Sequence, residues 1–112
     1  MNVILSEKAQ EYINKNDISN LLIKVSFLTE GCILIKEPKI EIIKDKDIIN
    51  YVDYNKISKG KLNVFIAQNF NEIFGENEEY FLELEGTLKK KLIIKNIKPI
   101  IIRTCQMDDK KE

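Results

Sequence analysis

Short runs of alternating apolar and polar residues recur along the whole chain, and only two stretches carry helical spacing. That pattern constrains the fold more than any other feature. Leu21, Ile23, Val25 and Phe27 fall on one side of an extended segment, with Lys24 and Ser26 on the other. Ile40 and Ile42 alternate with Lys39 and Glu41 and are expected to face inward. Leu62, Val64 and Ile66 share a face between Lys61 and Ala67, as do Tyr80, Leu82 and Leu84 in the segment ending at Glu85. Leu92, Ile93 and Ile94 return the chain after Gly86, and Pro99-Ile100-Ile101-Ile102 is the last strong apolar run. A doubly wound parallel sheet needs a crossover helix between successive strands, and those helices are missing. The expectation is an α+β, β-rich domain with two short helices.

The first helix is expected to begin after Ser6, a good N-cap, with Glu7 in the first turn, and to run to about Lys15 with Ala9, Tyr12 and Ile13 on one face. The second spans about Asn69 to Phe74 and stops at Gly75. Leu28 to Gly31 reads as a loop, after which Cys32-Ile33-Leu34-Ile35 resumes an extended run that Pro38 breaks. Ile48, Ile49, Tyr51 and Val52 read as another short extended piece. With 112 residues the chain holds one modest core. A single domain over residues 1–103 with a charged tail over 104–112 is expected.

Lys plus Arg and Asp plus Glu both number 18, so the chain is formally neutral. Affinity for nucleic acid comes from neutralising phosphates, so a nucleic-acid role is disfavoured. No apolar run approaches the roughly 20 residues of a membrane span. The amino-terminal residues do not resemble a secretory leader. Two cysteines make no disulfide framework. A cytoplasmic protein with reduced thiols is the expectation.

The sequence has no histidine, which removes Ser-His-Asp and Cys-His nucleophile systems and histidine metal sites. No phosphate-binding glycine motif occurs. Phe65, Phe70, Phe74, Tyr80 and Phe81 read as core rather than as a base-stacking platform, because their surroundings are acidic. Glu76, Glu78, Glu79, Glu83 and Glu85 read as a solvated hairpin face, with Glu83 and Glu85 paired to Lys89, Lys90 and Lys91 across the turn. The chain is not expected to be an enzyme.

Chemistry therefore centres on Cys32. Gly31 before it frees the backbone and leaves room for a ligand. Read from the residues, Cys32 is a thiolate ligand, a redox thiol, or a small residue filling core space. A redox thiol needs a lowered pKa, and Lys24 or Lys36 would supply it if adjacent. Cys105 follows the last apolar run and matters only if it reaches Cys32, in the same chain or in a partner.

The order of elements resembles the HesB-like family, which includes the A-type iron–sulfur carriers. An initial strand leads to a Ser6-Glu7-Lys8-Ala9 helix start and a strand ending at Gly31-Cys32. Lys61–Ile66, a short helix and the Tyr80–Glu85 and Lys90–Lys95 hairpin complete it. The chain looks closer still to a HesB-like branch with a Cys-Cys or Cys-selenocysteine motif. The resemblance implies two small packed sheets with flanking helices. For the carriers it implies a [2Fe–2S] cluster or iron held by three cysteines, usually between subunits, with iron–sulfur assembly or target proteins as partners. Cys32 matches the first cysteine. Ile97-Lys98-Pro99-Ile100 stands where the Cys-x-Cys pair would be, and Cys105 matches that pair only loosely. In the branch with paired chalcogens the second position is Ile33. A homodimer would assemble two copies of Cys32 and Cys105 into a four-thiolate cofactor or metal site. The alternatives are a protein-interaction module without metal, using an exposed apolar or acidic surface, and a single-thiol redox protein.

Overall fold

The computed structural model describes residues 2–105, which form two mixed sheets with three short helical segments. The three-stranded sheet is built from β1 (Asn2–Leu5), β6 (Glu79–Glu85) and β7 (Lys91–Ile94), with β6 in the centre. β1 runs parallel to β6, and β7 antiparallel to it. The five-stranded sheet has the order β4 (Asn55–Lys59), β5 (Leu62–Ile66), β2 (Asn20–Glu30), β3 (Ile33–Ile42) and β8 (Ile100–Arg103). Only the β2–β5 pair is parallel in it. Helices α1 (Glu7–Lys15) and α2 (Gln68–Phe74) flank the sheets. The α+β, β-rich expectation holds. No helix among the described residues is long and apolar enough to cross a membrane.

The core follows from alternation. Leu21 and Ile23 lie opposite Val64 and Ile66 and share their face. They meet Val3, Tyr80, Leu82, Leu92 and Ile94 from the smaller sheet, with Ala9 and Ile13 of α1 and Phe70 of α2 closing the sides. The other face of β2 and β5 carries a smaller cluster, Leu22, Phe65 and Ile43. On that same face Asn20 is the buried polar side chain among the described residues. Its Nδ2 donates to Asp45 Oδ1 at 2.6 Å, and its Oδ1 accepts from Asn63 Nδ2 at 3.2 Å. Both ends are satisfied, so the residue ties β2, β5 and the segment after β3 together without a buried unpaired group.

Both helices fall where expected. The Ser6 hydroxyl accepts from the Ala9 amide at 3.1 Å, a cap contributing about 1 kcal/mol. α2 ends at Gly75, whose φ of 81° suits glycine alone. Burial pushes the Tyr80 phenol above its usual pKa, and its hydroxyl donates to Asn71 Oδ1 at 3.1 Å, joining α2 to β6.

Several expectations are corrected. Residues 45–51 form a 3₁₀ helix, not an extended piece. Ile48, Tyr51 and Tyr54 pack on the outer cluster at intervals of three, the repeat of a 3₁₀ turn, while Ile49 and Val52 face out. The expected loop from Leu28 is strand as far as Glu30. Pro38 does not break β3, which continues to Ile42. The Thr104 amide donates to the Cys32 carbonyl, so even-numbered residues of β3 turn their main-chain groups toward β8. Pro38 lies beyond the four positions that β8 covers, so its missing N–H meets no ladder partner and costs no bond. Ile40 packs inward, but Ile42 at the strand end is 54 % exposed. Phe27 is on the predicted face yet 51 % exposed, because β2 and β3 run past the end of the core. Ile93 is only half-buried, on the outer side of β7 where Lys91 is exposed.

Candidate functional site

The hairpin of β2 and β3 is an arm. Glu30 pairs with Ile33, so Gly31-Cys32 is a two-residue turn. A tight hairpin turn of this kind needs positive φ at its first position. Gly31 has φ of 59°, and a Cβ there would meet nothing within 4 Å. Backbone conformation, not space, is therefore what requires glycine. The turn places Cys32 at the far end of the sheet, exposed to solvent.

β8 delivers the second sulfur. It lies antiparallel along β3, with Arg103 opposite Ile33 and Ile100 opposite Lys36. The Thr104 amide donates to the Cys32 carbonyl at 2.7 Å, extending the ladder by one pair. Cys105 then bonds to Cys32 as a disulfide, with Cα atoms 5.0 Å apart, within the usual range for such a bridge. Cys105 is exposed as well. Cys32 is thus neither core filler nor a free thiol, and the expected pair of reduced thiols is replaced by a covalent tie. The rest of the charged tail, Gln106 to Glu112, lies outside the described residues.

Lys24 and Lys36 do not sit beside the sulfur. Lys24 is six strand positions from Glu30, about 20 Å along β2, and pairs with Glu41 at 3.0 Å. Lys36 is four positions from Cys32, about 13 Å along β3. Of the glutamates in the acidic hairpin, Glu83 forms an ion pair with a lysine. Glu83 meets Lys95 at 3.4 Å and Glu85 lies opposite Lys91, so the partner of Glu83 comes from the strand end rather than from the turn lysines.

A [2Fe–2S] cluster takes four protein ligands. Both sulfurs here are bonded to each other, and among the described residues no three Cys, Asp, Glu or His side chains gather to hold a metal ion. One chain with this disulfide does not fit a cluster.

What sequence reasoning missed is the apolar character of the arm on both faces. Phe27, with half-buried Leu34 and Ile100, lies on one side; Leu28, Ile33 and Ile101 lie on the other. The signal was available. Unbroken apolar runs such as Ile33-Leu34-Ile35 and Ile100-Ile101-Ile102 put side chains on both sides of a strand.

No curated protein and no solved structure matches the chain. A family model does match, over residues 1–97, and by that match the chain belongs to the CC/Se motif containing family.

Proposed function

We propose that this protein is a thiol–disulfide redox protein whose reactive group is the Cys32–Cys105 pair. The observation that carries this reading is the meeting of two solvent-exposed cysteines across the edge of an arm, far apart in sequence. The family's name refers to a CC/Se motif, whereas Cys32 is followed by Ile33. In this chain the second sulfur comes from Cys105, outside the matched residues. The finer assignment, to a HesB-like fold, belongs to the same proposal and is supported by the two small sheets and the order of the helices.

The step is a two-electron exchange. An external thiolate attacks one sulfur, forming a mixed disulfide and releasing the other as a thiolate, which takes a proton. A second external thiolate then displaces the mixed disulfide. The protein ends as a dithiol and the reductant as a disulfide. Equilibration in buffers of reduced and oxidised glutathione, followed by acid quench and alkylation, tests this. Cys32 and Cys105 are expected to gain label together, with one reversible midpoint. Labelling of one cysteine without the other across the series overturns it.

Exposure of both sulfurs favours a second reading, the one toward which the likeness to A-type carriers points. Two reduced copies would present four thiolates, the number a [2Fe–2S] cluster takes. Anaerobic iron and sulfide reconstitution of reduced protein is then expected to give absorbance between roughly 320 and 460 nm that Cys32→Ser abolishes. Spectra identical for the two proteins exclude it.

A further inference from the structure

β8 is held to the sheet by its main chain more than by burial. Ile101, Ile102 and Arg103 are exposed and Ile100 is half-buried. Since residues 104 and 32 form a hydrogen-bonded pair, the alternation of an antiparallel ladder makes 102 with 34 and 100 with 36 hydrogen-bonded pairs too. The amides of Ile100 and Ile102 therefore turn toward β3. Upstream, Ile97 is buried and fixes the chain, whereas Lys98 and Pro99 are exposed and form the joint between that anchor and β8. Beyond the joint, the disulfide is the one covalent hold on the strand. Once it opens, a four-residue strand at a sheet edge is left on a short ladder, and such pairings are marginal alone.

From this we infer that the edge of β3 is an exchange surface for a second copy of the chain. In the dithiol form β8 of each copy leaves its own β3 and pairs with β3 of the other. Oxidation then locks the dimer with two Cys32–Cys105 bonds between chains. The occupant is a second copy because this edge already fits Ile100–Arg103 in a register that brings Cys105 to Cys32. An unrelated strand would meet the same main-chain groups without the closing thiol. Strand exchange through a short hinge is a low-cost route to a symmetric dimer. Opening takes two electrons and two protons per bond from a dithiol reductant. Closure in trans returns them to a disulfide oxidant such as oxidised glutathione.

The inference rests on the redox reading above, and one experiment separates the two. Light and ¹⁵N-labelled chains are reduced with dithiothreitol, mixed in equal amounts at chain concentrations up to about 1 mM, the range of a short linker's effective concentration, and reoxidised with oxidised glutathione. A dimer fraction that grows with concentration is expected. In its non-reduced digest, about half of the Cys32–Cys105 linked peptides should join a light to a heavy chain, as random pairing in a symmetric exchange requires. Ile102→Pro removes a donor into β3 while leaving both thiols, and should abolish that dimer. Bonds formed only within chains at every concentration overturn the exchange and leave the redox reading intact. So do dimers joined Cys32 to Cys32, or dimers that survive Ile102→Pro. A bond that dithiothreitol never opens overturns both.

Discussion

Reduction of the Cys32–Cys105 bond is expected to lower the unfolding free energy by about 2–4 kcal/mol. The bond closes a loop spanning 73 residues, and loop-closure entropy for a ring of that length amounts to roughly 4 kcal/mol. The native state takes back part of that loss. With the bond open, β8 and the residues after Ile97 gain freedom while the core of the two sheets is untouched, and this native-state entropy offsets some of the freedom gained by the unfolded chain. Urea unfolding of the oxidised protein, the same protein in reductant, and Cys32→Ser gives the comparison. The oxidised protein should unfold at higher urea. The reduced protein and the variant should coincide, and reductant should leave the variant's curve unchanged. Coincidence of all three curves would mean that the tie constrains nothing.

A still larger loss, about 3–5 kcal/mol, is expected for Phe70→Ala, the usual cost of emptying an aromatic site in a core. Phe70 is fully buried. Its ring lies 4.9 Å from Phe74 and 6.0 Å from Tyr80, the latter edge-on. It is also the buried residue of α2, a seven-residue helix whose Ala67 cap makes no side-chain hydrogen bond. A helix that short does not persist on propensity, so its place depends on the face it buries. Removing the ring empties the core and unseats the helix at once. The bond from Tyr80 to Asn71 and the half-buried Ile73 and Phe74 are then what hold α2. Denaturant unfolding measures the effect, with Phe74→Leu as a control expected to cost under about 1.5 kcal/mol because it keeps most of the volume at a half-buried site. A loss below about 1 kcal/mol for Phe70→Ala would contradict this account of the core.

What the sequence reveals is what local chemistry decides. Ser6 three residues before Ala9, and Gly75 after an aromatic helix face, mark helix ends through bonds that close within one turn. Alternation at Leu21–Val25 and at Tyr80–Leu82 identifies core faces because a strand's period depends on nothing outside it. The 3₁₀ helix was hidden because Ile48, Ile49, Tyr51 and Val52 mix a half-buried row with an exposed one, and only the platform of Leu22 and Phe65 distinguishes them. Pro38 reads as a stop, since its sequence neighbourhood does not say which side of β3 is covered. The meeting of Cys32 and Cys105 is the least legible feature of all. It follows from the register between β3 and β8, which are separated by most of the fold. Gly31-Cys32 identified one half of the site by turn chemistry, and the other half depends on which sheet edge the last apolar run chooses.

The most direct test of the redox-pair account is a peptide map of the air-oxidised protein, alkylated under denaturing conditions without reductant and then digested. A single linked peptide carrying Cys32 and Cys105, which dithiothreitol converts to two separately alkylated peptides, is the predicted result. Recovery of both cysteines fully alkylated before reductant is added would contradict it.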